Sequence, residues 1–123
     1  MLLDHTSPET SECDEIRGIL NRIGDKWSMQ VIGALGEEPR RFNELRRNIP
    51  GISQRMLTLT VRLLERDGLL KRTVLPTAQP NVVYELTPLG CTIIEPIRAI
   101  ADWAREHRRR IRLAQLEFDA RSG

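Results

Sequence analysis

The sequence predicts a mainly α-helical fold carrying one small β-hairpin, and three observations predict it. Apolar residues recur at helical spacing in five separate stretches between Cys13 and Phe118. Two short stretches, Leu70–Leu75 and Val82–Leu86, alternate in the manner of β-strands. Glycine, proline and aspartate mark the boundaries, at Gly24-Asp25, Gly36 to Pro39, Pro50-Gly51 and Asp67-Gly68. The 123 residues, 40% apolar and 29% charged, suit one soluble domain with a modest core.

Residues 1–12 are polar, contain a proline and show no periodicity, which predicts a flexible tail before a single domain over 13–123. Cys13, Ile16, Ile19, Leu20 and Ile23 then describe a first helix. Asp25 is placed to cap a second, whose apolar face is Trp27, Val31, Ile32 and Leu35. Gly33-Ala34 predicts close packing on that helix. Phe42, Leu45 and Ile49 mark a short third helix, stopped at Pro50-Gly51.

The stretch from Ser53 to Asp67 is the fourth. Ser53 can cap its free N–H groups, and Leu57, Val61 and Leu64 fall at i, i+4 and i+7 for a core. Gly68 follows as a stop. The two alternating stretches come next, joined by a six-residue polar loop from Pro76 to Asn81. Thr87-Pro88 opens a last helix reaching about Phe118. Ile93, Ile97, Ile100, Ala101 and Ala104 form its stripe, and Pro96 kinks or restarts it.

A short helix, a tight turn and a longer helix describe a helix-turn-helix, and a hairpin directly after makes it winged. Charge follows the same geography. Residues 40–72 hold nine basic and three acidic side chains, whereas residues 1–38 hold three and eight. A basic block inside a protein of net charge +2 points to a polyanionic partner. A helix buried on one side and polar to basic on the other fits the major groove of double-stranded DNA. The plain alternative is a surface helix with solvated arginines.

An ordered set of stretches resembles the HxlR-type winged helix-turn-helix regulators, relatives of the MarR-like proteins. The set is Cys13 before an apolar helix, Ile23-Gly24-Asp25-Lys26-Trp27, Arg41-Phe42-Asn43-Glu44-Leu45, Pro50-Gly51-Ile52-Ser53, Leu64-Glu65 with Asp67-Gly68-Leu69, Val82 with Tyr84, Leu86-Thr87-Pro88-Leu89-Gly90, and Ala101-Asp102-Trp103-Ala104. It covers roughly residues 13–104, and its order and spacing carry the likeness rather than any one member. The resemblance implies a homodimeric bacterial or archaeal transcription regulator. Residues 13–24 and 88–118 would be dimerisation helices, and 25–87 the DNA-binding core and wing. The wing departs from the family in having Asn81 where Arg or Lys is common. Leu59, Thr60 and Leu63 stand where the family is usually polar or charged.

The expected groove set is Ser53, Gln54, Arg55, Thr58, Leu59 and Arg62. Gln pairs with adenine, Arg with guanine, and Thr or Leu methyls meet the thymine methyl. Arg40, Arg41, Arg46, Arg47 and Arg72 are expected at phosphates, since most basic contacts position rather than specify. Thr77, Gln79 and Asn81 are candidates at the wing tip. A winged helix used only for protein contact is the competing class, and retention on duplex DNA with a steep salt dependence separates the two.

Cys13 begins the first helix, where the dipole favours a thiolate and Asp14 and Glu15 oppose it. The family resemblance implies a possible oxidant-sensing role for Cys13. The simpler expectation is that Cys13 and Cys91 are packed as small hydrophobes. Two cysteines make no disulfide framework, and no signal peptide or membrane-length apolar run is present, so a cytoplasmic protein with reduced thiols is expected. His5 and His107 lack metal-ligand spacing with either cysteine. Trp27 and Trp103 are expected in core or dimer packing. No glycine-rich phosphate loop, nucleophile elbow or paired carboxylate appears, so no enzyme activity or cofactor is expected. A small-molecule or oxidant signal is left as a possible partner.

Overall fold

The computed structural model describes residues 11–77 and 81–122. The elements are α1 (Glu12–Gly24), α2 (Lys26–Leu35), β1 (Arg40–Arg41), α3 (Phe42–Asn48), α4 (Gln54–Arg66), β2 (Leu70–Leu75), β3 (Asn81–Leu86), α5 (Pro88–Cys91) and α6 (Ile94–Ser122). They fall into two compact units divided between Cys91 and Thr92.

In the first unit, the starts of α1, α2 and α4 follow from a capping side chain. Ser11 Oγ accepts the Asp14 N–H at 3.1 Å, so the helix begins one residue into the stretch expected to be a tail. Asp25 Oδ2 accepts the Trp27 and Ser28 N–H groups, both at 3.2 Å. Ser53 Oγ accepts the Met56 N–H at 3.0 Å. Each of these satisfies donors that a helix terminus leaves open.

The turn between α3 and α4 is built on Pro50-Gly51. Ile52 N–H donates to Ile49 O at 3.3 Å, and Gly51 has φ +87°. A proline followed by a residue with positive φ is the pattern of a type II turn, which glycine enters without strain. The far end of α4 closes by a Schellman arrangement: Gly68 N–H donates to Glu65 O and Leu69 N–H to Leu64 O, both at 3.0 Å.

The core joins Val31, Ile32 and Leu35 of α2, Leu45 of α3, and Ile49 and Ile52 of the turn to Leu57, Val61 and Leu64 of α4. Leu70 and Tyr84 close it from the sheet. Thr60 is also buried, and its hydroxyl donates to Met56 O at 2.8 Å, which removes the cost of taking it inside.

The sheet corrects the expected two-stranded hairpin. It has three strands in the order β1-β3-β2, all antiparallel, with Arg40 opposite Tyr84 and Arg41 opposite Val83. A two-residue strand is too short for alternation to announce it. The hairpin register runs from Leu70↔Leu86 to Leu75↔Asn81. Asn81 therefore closes the ladder rather than lying in the loop.

Gly33 is exposed, and among the described residues a Cβ there would meet nothing within 4 Å, so the room it leaves is not used by a close neighbour. The close approach is at Gly90, where a Cβ would lie 2.1 Å from Leu69 O. Thr87 fixes that contact. Its hydroxyl donates to Gly68 O at 2.6 Å and accepts the Gly90 N–H at 3.0 Å, while its own N–H donates to Leu69 O at 3.0 Å. The Thr87-Pro88-Leu89-Gly90 stretch thus ties the end of the hairpin to the end of α4.

The second unit is mainly the helix α6, 29 residues long. The expected last helix is two helices: α5 ends at Cys91 and α6 begins at Ile94. Pro96 therefore sits in the first turn of a restarted helix, where its missing N–H costs nothing. The helix ends at Ser122, beyond Phe118. It buries no residue.

Candidate nucleic-acid interface

Helix α4 has two faces with different fates. Leu57, Thr60, Val61 and Leu64 are buried. Ser53, Gln54, Arg55, Thr58, Leu59 and Arg62, the whole expected groove set, are exposed. The cap at Ser53, the turn at Gly51 and the packing of the inner face against α2 hold this outer face in one orientation. Arg55, Thr58, Leu59, Arg62, Leu63 and Arg66 line an open depression of about 450 Å³ along it.

Arg66 lines the same depression and is not among the residues expected from the sequence. It lies four residues after Arg62 and eleven after Arg55, so helical spacing alone puts it on their face. Its ion pair with Asp67 is long, 4.0 Å, and its side chain is 78% exposed.

The supporting arginines divide. Arg41, Arg46 and Arg47 are exposed, and Glu44 Oε1 accepts the Arg41 backbone N–H at 2.9 Å at the start of α3. Arg40 is half-buried: its Nε donates to Ala34 O at 3.3 Å and its guanidinium lies 3.9 Å from Glu38. It holds the end of α2 to β1. Arg72 is exposed on β2 opposite Tyr84. Beside it Lys71 lies 4.0 Å from Glu85 across the hairpin. The wing candidates are scattered: Thr77 is exposed, Asn81 is half-buried at the ladder's end, and Gln79 lies outside the described residues. Among the described residues Arg41, Arg46, Arg47, Arg55, Arg62 and Arg72 take part in none of the ion pairs that engage Arg22, Arg40, Arg66 and Lys71.

A model of the HxlR-like helix-turn-helix family matches residues 22–112. The chain belongs to that family. It is 41% identical over 87 residues to the uncharacterised helix-turn-helix-type transcriptional regulator YtfH of Escherichia coli K12, covering 71% of this chain and 69% of that one. Its fold is similar to the solved structure of a YtfH regulator from Salmonella typhimurium, with a TM-score of 0.75, 35% identity and coverage of 89% of this chain and 99% of the other. It is also similar to the redox regulator HypR in its reduced form, with a TM-score of 0.71, 37% identity and coverage of 76% and 93%. The family is one of DNA-binding transcription regulation.

Other expectations changed. Cys13 and Cys91 are both exposed rather than packed. Burial of Cys13 required α1 to bury a face within its own chain, and α1 has no buried residue. Cys91 ends a four-residue helix whose one buried member is Gly90. Trp27 is half-buried beneath Lys26, whose Nζ lies 4.5 Å from the ring centre. Trp103 is 55% exposed and stacks on His107 with ring centres 4.7 Å apart. Among the described residues no group of three or more His, Cys, Asp or Glu could hold a metal ion, and no helix is long and apolar enough to cross a membrane.

Proposed function

We propose that this chain is a sequence-specific DNA-binding transcription regulator acting in the cytoplasm as a homodimer on a pseudo-palindromic operator. Helix α4 enters the major groove, and β2 and β3 form a wing on the flanking backbone or minor groove. Arg41, Arg46, Arg47 and Arg72 meet phosphates. One observation carries the reading: α4 has its apolar stripe wholly buried and its exposed groove set backed by arginines that take part in no ion pair among the described residues.

The dimer rests on apolar surface that each terminal helix leaves exposed. Ile16, Ile19 and Leu20 of α1 are 46, 61 and 63% exposed. Ile100, Ile111, Leu116 and Phe118 of α6 are exposed as well. A dimer would set two copies of α4 about 34 Å apart, one helical turn of DNA, or at a multiple of that.

The test is in vitro selection of bound duplexes, followed by anisotropy titrations across salt concentrations and sedimentation of the free protein. The expected result is a two-fold consensus, a steep fall of affinity with salt and a dimer. Failure to enrich any sequence, with a flat salt response on random duplex, would sink the reading and leave a protein-interaction module.

A second reading concerns the signal. Cys13 is exposed near the start of α1, and HypR, 37% identical, is a redox regulator. On this reading oxidation of Cys13 alters operator affinity. Treatment with diamide should change binding by the wild type and leave Cys13→Ser unaffected. Equal responses of the two proteins would remove Cys13 from the mechanism.

A further inference from the structure

Helix α4 buries one polar residue, Thr60, and the more exposed of its two exposed large apolar residues is Leu59, ahead of Met56. Thr60 is buried while Leu59, its neighbour in sequence, is 50% exposed. Thr60 is accounted for by its hydrogen bond to Met56 O. Leu59 is not needed inside, because Leu57, Val61 and Leu64 already fill the core face at 0% exposure. Single exposed leucines are ordinary on protein surfaces. The setting of this one is not. Arg55 precedes it by four residues and Arg62 follows it by three, and all three line the same depression together with Thr58. A partner that meets the two arginines also covers Leu59.

A polyanion that does this has to offer an apolar spot between its polar groups. In the major groove guanine and adenine present acceptors and donors, cytosine presents an amino group, and thymine alone presents a methyl group. Leucine pressed on a guanine or adenine edge would strip water from acceptors and return no hydrogen bond, which costs free energy. Pressed on the thymine C5-methyl, it removes apolar surface from water on both sides.

We propose that Leu59 is a specificity-determining residue that reads the C5-methyl group of a thymine in each half-site, between the positions met by Arg55 and Arg62. This rests on the major-groove reading of α4 and adds the chemistry of one base to it.

The experiment uses the full chain and an operator selected from unmodified duplexes. Each thymine is replaced singly by deoxyuracil, which lacks only the methyl group. For the wild type, one replacement per half-site should weaken binding about fourfold, the effect of one buried methyl. Leu59→Ala, which removes the contact in both half-sites of the dimer, should bind the thymine operator about fifteenfold more weakly and respond no further to that uracil. Because Leu59 lies outside the core, the variant should keep the wild-type thermal melt, and Leu59→Ser provides a second truncation with the same expectation. If no uracil replacement affects the wild type, or if both variants keep the full penalty, Leu59 does not read the methyl. If the wild type shows no salt-dependent binding to any duplex, the groove reading itself falls and this proposal with it.

Discussion

Helices α1 and α4 are each thirteen residues long, each capped by a serine, and each amphipathic in sequence. Their apolar faces end in opposite situations. Helix α4 buries Leu57, Thr60, Val61 and Leu64; α1 buries nothing. The long α6 likewise buries nothing. An apolar stripe at helical spacing shows that a helix has a face to cover, not what covers it. In α4 the same chain does so, and the exposed residue set is therefore the polar one. In α1 and α6 the exposed set includes the apolar one.

The largest effect that tests this difference is a truncation on each helix. Leu57→Ala should cost about 2–5 kcal/mol of stability in urea unfolding, because the site is fully enclosed. Ile19→Ala, 61% exposed on α1, should change the stability of the dilute monomer by no more than about 0.5 kcal/mol. Equal costs would mean that α1 is already packed within its own chain.

The next test asks what covers α1. Leu20→Asp places a charge on the exposed apolar face of α1. Sedimentation should show the dimer dissociating at about tenfold or more higher concentration, since an unpaired charge in an apolar interface is strongly opposed, while far-UV circular dichroism stays unchanged. A dimer of undiminished strength would exclude this face of α1 from the interface.

On α4 the exposed residues are expected to affect DNA and not stability. Arg55→Ala should cost about 1–3 kcal/mol at the operator and relax the preference at one base pair. Arg46→Ala or Arg47→Ala should instead weaken binding to all sequences alike and lower the salt slope by about one unit. If Arg55→Ala behaves like the other two, α4 contacts phosphates rather than base edges.

The helices and the exposed polar face of α4 were legible in sequence because their signals are local. Ser53, the i, i+4, i+7 stripe and Asp67-Gly68 all lie within one helix of each other. What was not legible depends on residues far apart. Strand β1 exists only because β3 offers Tyr84 and Val83 to pair with Arg40 and Arg41, and two residues carry no period of their own. Gly90 matters because Leu69 O comes within 2.1 Å of where a Cβ would stand, and nothing near Gly90 in sequence announces that. The cysteines were expected inside on the average behaviour of the residue, and the surfaces of α1 and α5 decided otherwise. Arg66 differs: its spacing from Arg62 was available and was simply not carried one turn further.

The smallest expected effect concerns how α1 is joined to the rest of its unit. Arg22, near the end of α1, donates from Nε to Asp67 Oδ2 at 2.7 Å, and both side chains are a little under one-third exposed. Asp67 is also the residue that ends α4 before the Gly68 turn. The pair therefore links the helix proposed for dimerisation to the end of the helix proposed for the groove. A partly solvated pair of this kind gives about 0.2–1 kcal/mol in a double-mutant cycle. Arg22→Ala, Asp67→Asn and the double variant, followed by thermal melting at low and high salt, should give a coupling of that size that shrinks as salt rises. Operator affinity offers the sharper comparison. If the pair does no more than fasten α1, all three variants bind the operator alike once they are folded and dimeric. If it sets the angle at which α4 is presented, the single variants lose affinity that raising the dimer concentration does not restore, and the double variant loses no more than either single one.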